Sequence, residues 1–146
     1  MRRWLASPHG CVIDLRPADV HGTVAVGLPD GGIVAVGELV VEDERRARHG
    51  AADAAVREVV ERRLFTRHGE QQFPFFYYPD SADELRDYVA AKWRNTHLDP
   101  ATHRLAIAAS AKHPEGRLWL REQVGIRVLQ PVTAPYVPSA RGLRSR

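Results

Sequence analysis

The four residues Pro29-Asp30-Gly31-Gly32 constrain the fold more than any other stretch of the chain. Proline pre-sets φ and glycine supplies positive φ, so this composition between two β-rich runs specifies a hairpin turn. The run before it is Gly22-Thr23-Val24-Ala25-Val26-Gly27-Leu28, and residues 33–41 after it are rich in Val and Ile. An antiparallel hairpin is therefore expected early in the chain, and the remaining elements must cover it.

Upstream, residues 10–17 form a compact apolar run bounded by Gly10 and Pro17, the pattern of a buried strand. Arg16 precedes a proline, which favours extended geometry and predicts the strand's end there. The single cysteine, Cys11, opens that run and reads as a small buried hydrophobe; one thiol excludes a disulfide framework and a multi-thiolate metal site. Downstream the hydrophobic period changes. Ala52, Ala55, Val56, Val59, Val60 and Leu64 recur at helical spacing and predict an amphipathic helix over 43–63. Gly50 costs that helix up to about 1 kcal/mol against Ala, which favours a start near Ala51.

The densest aromatic run is Phe73-Pro74-Phe75-Phe76-Tyr77-Tyr78. Aromatics favour strands, and Pro74 confines this one to an edge or a strand start. Ser81-Ala82-Asp83-Glu84 matches a capping box and opens a helix that buries Leu85, Tyr88, Val89 and Trp93. Asp99-Pro100 is a second helix start, an N-cap followed by proline, for a helix carrying Leu105, Ile107, Ala108 and Ala111. Residues 117–129 alternate apolar and polar at both ends and predict one long strand or two short ones around Gly125. The fold class is α/β, with α+β as the alternative: an incomplete mixed sheet with an inserted hairpin and three main helices. Residues 1–131 read as a single domain, and 132–146, rich in Pro and Arg, as a flexible tail.

The order of elements resembles the back half of class I S-adenosylmethionine-dependent methyltransferases. Residues 4–17, with Ser7-Pro8-His9-Gly10 as the turn, are similar to that family's fifth strand; 64–78 are similar to its sixth. Residues 117–129 look like its antiparallel seventh strand. The family's glycine-rich turn and the acidic residue that holds the ribose are absent from this sequence. The resemblance thus implies a half domain without the cofactor-binding front half, in which one polypeptide does not build the pocket for S-adenosylmethionine. Such a chain would act as a self-associating or partner subunit, with methyltransferase-like activity only beside a complementing chain.

No catalytic constellation stands out. Candidate substrate-binding residues are Asp14 and Arg16, at a strand end where open α/β sheets bind ligands, and the aromatic pair Tyr77 and Trp93. His97, Asp99 and His103 are the tightest potential metal set, but Asp99 is explained as a cap and no metal site is expected. The formal charge is +3, and all basic residues but Lys92 and Lys112 are arginine. These are interspersed with acids, as in Glu42-Asp43-Glu44-Arg45-Arg46, so nucleic acid is not the favoured partner. No hydrophobic region follows Arg2 and Arg3, so no signal peptide is expected, no apolar stretch reaches membrane-spanning length, and the cytoplasm is the expected compartment. Two alternatives stand beside the half-domain reading. One is a small binding module for an apolar molecule lined by Phe75, Tyr77, Tyr88 and Trp93; the other is a truncated gene product whose true start lies upstream of Met1.

Overall fold

In a computed structural model that describes residues 10–132, the turn at 29–32 closes as its composition requires. Gly31 takes a φ of 87°, which only glycine adopts freely. The Leu28 N–H donates to the Gly32 carbonyl at 2.8 Å, and Asp30 Oδ1 accepts from the Gly32 N–H at 2.8 Å. The turn joins β1 (Val12–Gly27) to β2 (Ile33–Glu38).

β1 is longer than expected. The apolar run at 10–17 and the first hairpin strand are continuous, because one long partner spans both. That partner, β6 (Arg117–Pro131), pairs from Val12–Leu129 to Gly27–Arg117, with a register shift between Pro17 and Gly22. The irregularity accommodates Pro17, so the strand passes through it instead of ending. On its other side β6 pairs with β4 (Phe65–Tyr77), giving the sheet order β2-β1-β6-β4. Helices and strands are both present, with three helices among the described residues. The mixed sheet, however, is antiparallel at every pairing: β1 and β4 run in the same direction, but β6 lies between them and opposes both. Pro74 sits in β4, an edge strand, where a missing N–H is tolerated.

α1 (Asp43–Glu61) begins a full eight residues before Ala51 and runs through Gly50. Asp43 and Glu44 in its first turn complement the helix dipole, and a buried anchor at Arg45 holds that turn in place. α2 (Ala82–Lys92) is capped by Ser81, whose hydroxyl accepts from the Glu84 N–H at 3.1 Å. Glu84 itself accepts from the Asp80 N–H, one residue earlier than a strict capping box. α3 (Pro100–Lys112) is capped by Asp99, which accepts from the N–H groups of Ala101 and Thr102. Two short strands, β3 (Val40–Val41) and β5 (Thr96–His97), pair beside these helices.

The core lies between the sheet and the helices. Val24, Val26, Leu118 and Leu120 from β1 and β6 meet Leu85, Val89, Leu98 and Ala106. α3 turns Thr102 and Ala106 inward and leaves Leu105 and Ile107 exposed, the reverse of the expected apolar stripe. The reason is close approach: a Cβ on Gly37 would sit 3.0 Å from Thr102, so only small residues fit at this contact. Leu118, Leu120 and Glu122 alternate toward α2 and α3, and Arg45 in the first turn of α1 meets Glu122 on that face. Asp53, further along α1, reaches Arg127, which points to the other face. The rest of α1 lies on that other face at the far end of the sheet, where Ala55, Val56 and Val59 gather with Val12, Phe65 and Leu129. The early strand is half covered: α1 lies over Val12, Asp14 and Arg16, while Ile13 and Leu15, paired with Val128 and Ile126, face away from it. Ile13 and Leu15 are 60% and 59% exposed, and Cys11 is exposed rather than buried. Residues 1–9, and the tail beyond Val132, lie outside the described residues. Among the described residues no helix is long and apolar enough to cross a membrane.

Candidate functional site

Arg45, Arg48 and His49 are spaced i, i+3, i+4, so they share one face of α1 near its N-terminus. Lys92, Trp93 and Arg94 follow one another where α2 ends, Trp93 being its C-cap. Asn95 takes a φ of 57°, a conformation asparagine tolerates, and turns the chain into β5. Pro17 from the irregular part of β1 and Glu122 from β6 complete the lining of an open cleft of about 420 Å³. Helix, helix end and sheet therefore converge on one concavity.

Its floor is a buried ion pair. Arg45 Nη2 donates to Glu122 Oε1 at 3.0 Å, Arg45 Nη1 donates to Thr96 Oγ1 at 2.8 Å, and the guanidinium lies 4.7 Å from the Trp93 ring centroid. Arg45, Glu122 and Thr96 are all buried. Loss of hydration at Glu122 outweighs the attraction of Arg45 and pushes the carboxyl up to about 7. Burial and the nearby guanidinium groups of Arg45 and Arg16 hold the His49 imidazole below its ordinary value. Among the described residues Lys92 and Arg94 have no carboxylate partner, and Arg48 has only a 3.9 Å surface contact with Glu44. The cleft thus concentrates positive charge around a single carboxylate that is already engaged.

The residues expected from sequence are distributed differently. Asp14 and Arg16 do lie together, 3.0 Å apart, but in a network that ties β1 to α1, β6 and β4. Arg16 reaches Asp53 at 2.8 Å, and Arg127 reaches Asp53 and Glu70 at 2.7 Å each. Hydrogen bonds from Arg127 hold the Asp53 and Glu70 carboxyls below their ordinary range. Arg16 also donates to the His49 carbonyl, so the network adjoins the cleft without lining it. Trp93 lines the cleft. Tyr77 does not: its ring stacks on Tyr88 at 3.8 Å, and its hydroxyl donates to Glu84 at 2.7 Å. That bond to a carboxylate pushes the phenol up to about 12. Phe75 is exposed, so Phe75, Tyr77, Tyr88 and Trp93 do not enclose one space.

Asp99 caps α3, His103 contacts Asp83 at 3.1 Å, and His97 is exposed on β5. Among the described residues no three His, Cys, Asp or Glu side chains are grouped to hold a metal ion. Apart from Trp93, the cleft's own members went unnoticed in the sequence, although two signals were present. A glutamate stands in line with Leu118 and Leu120 at an inward-facing position of a strand, and three basic residues share one turn of a helix. No protein-family model matches the chain, and no curated protein or solved structure matches it.

Proposed function

We propose that this protein is a binding module for a small anionic molecule, bearing a phosphate or carboxylate, held in the cleft by Arg48, Lys92 and Arg94. The observation that carries this reading is the gathering of cations from two helices into one concavity where, among the described residues, Lys92 and Arg94 have no carboxylate partner. Like charges held together without counter-charge repel, and an anion that bridges them removes that cost. Trp93 supplies an apolar wall, and Glu122 is the group there poised to exchange a proton near neutrality. The reading makes no claim to catalysis, and the cytoplasm remains the proposed compartment.

The test is calorimetry and thermal shift with inorganic phosphate, adenosine monophosphate and citrate at matched ionic strength. A true ligand at about 100 times its Kd raises stability by about 2.7 kcal/mol. The Lys92→Gln/Arg94→Gln double variant should lose that gain while melting normally alone. If no anion shifts the parent, or the variant responds equally, the reading is wrong.

A second reading retains the methyltransferase-like half domain as a self-associating or partner subunit. It is favoured by the sheet's edge: β2 pairs only with residues 23–27 of β1, leaving residues 12–17 with no strand on that side among the described residues. Open backbone groups with exposed Ile13 and Leu15 beside them suit pairing with another chain. On this reading S-adenosylmethionine binding requires the partner. Light scattering decides it, since a strict monomer at about 100 µM argues against any such assembly.

A further inference from the structure

The face of the sheet turned away from α2 and α3 carries a second constellation, distinct from the cleft. Cross-strand neighbours share a face. Phe76 pairs with Arg121 and Arg121 with Thr23, while Trp119 pairs with Ala25 and Arg117 with Gly27. Leu118, Leu120 and Glu122 point toward α2 and α3, so Arg117, Trp119 and Arg121 point away from those two helices. Phe76 and Trp119 are nearly perpendicular with centroids 5.6 Å apart, and Phe76 lies nearly parallel to Tyr78, 15° between planes and 5.9 Å between centroids. The Arg117 guanidinium lies 4.4 Å from the Tyr78 centroid. Trp119 is only 8% exposed and forms the floor, with Gly27 leaving room for it; a Cβ there would stand 3.1 Å from its indole nitrogen. Phe76 and Tyr78 above it remain 37% and 43% exposed. Beside them a depression of about 430 Å³ is lined by His21, Thr23, Glu38, Arg121 and Gln123. Among the described residues neither Arg117 nor Arg121 has a carboxylate partner.

We infer that this face binds single-stranded nucleic acid. Exposed aromatic rings on an open sheet are stacking platforms for unpaired bases, and adjacent guanidinium groups meet the phosphates. The hydroxyl of Thr23 and the amide of Gln123 stand in the depression where the edge of a stacked base would lie. The arginines are dispersed along the chain but not on this surface, where the sheet register brings Arg117 and Arg121 beside the rings. A double helix keeps its bases paired and offers such rings nothing to stack on.

Fluorescence anisotropy with a labelled oligothymidylate of about ten nucleotides tests this. In about 50 mM salt the protein should bind with a Kd of about 100 µM or tighter. Phe76→Leu keeps the apolar cover over Trp119 but removes the stacking face, and should weaken binding about fivefold or more. Arg121→Gln, at an exposed position, should weaken it and lower the log–log salt slope by about 0.7. The Lys92→Gln/Arg94→Gln cleft variant should bind as the parent does, which separates this surface from the proposed anion site. No saturation at millimolar protein overturns the inference. So does unchanged affinity in both Phe76→Leu and Arg121→Gln, loss of binding in the cleft variant, or equal affinity for a duplex of the same length.

Discussion

Replacing Glu122 with Gln isolates the electrostatic cost hidden at the floor of the cleft. In the unfolded chain this carboxyl titrates near its ordinary value of 4.5, whereas in the folded protein it is raised to about 7. Between those values the native state holds a proton that the unfolded state has released. Stability contributed by this group is therefore fully present below about pH 4.5 and is lost as pH rises toward 7. Each pH unit crossed costs about 1.4 kcal/mol, so the loss approaches about 3 kcal/mol by pH 8. Glu122 is 8% exposed, so solvent screening removes little of this. His49 works in the opposite sense, since its lowered value removes stability as pH falls through its range. The useful readout is therefore the difference between parent and Glu122→Gln, measured by urea unfolding from about pH 5 to pH 8. The parent should lose up to about 3 kcal/mol more than the variant across that window. Parallel stability curves, or a parent that gains on the variant as pH rises, would refute the claim that desolvation dominates over Arg45.

Other perturbations read different layers of the fold. Leu120→Ala removes a fully buried side chain between β6 and the helices, and should cost about 3 kcal/mol in urea unfolding monitored by circular dichroism. Asp99→Ala leaves the N–H groups of Ala101 and Thr102 without their cap and should cost about 1 kcal/mol in the same assay. Arg127→Met should flatten the acid limb of the stability curve. Asp53 and Glu70 are held low by Arg127, so their contribution is present above their unfolded values and lost as pH falls through the folded ones. A variant whose acid limb matches the parent's would show that these bonds contribute nothing.

Much of the local structure was legible in the residues because its causes are local. Pro29-Asp30-Gly31-Gly32 contains the φ preferences of its turn, and Ser81 and Asp99 cap the two helices that their spacing announced. The edge position of β4 followed from Pro74, whose nitrogen has no proton to give a central strand. Where expectations moved, a tertiary partner was responsible. β6 is long enough to carry β1 through Pro17, and the Arg45–Glu122 pair holds the first turn of α1 despite Gly50. The thin, small-residue contact of α3 at Gly37 turned its apolar stripe outward.

The sites belong wholly to the second category. Arg48, Lys92 and Arg94 become neighbours only because α1 and the end of α2 meet over the sheet, and Phe76 finds Trp119 and Arg121 only through the β4–β6 register. Turn and cap preferences are written within four or five residues, where backbone geometry and one side chain decide the outcome. Electrostatic fields and stacking surfaces depend on distances between residues far apart in sequence, and packing alone sets those distances.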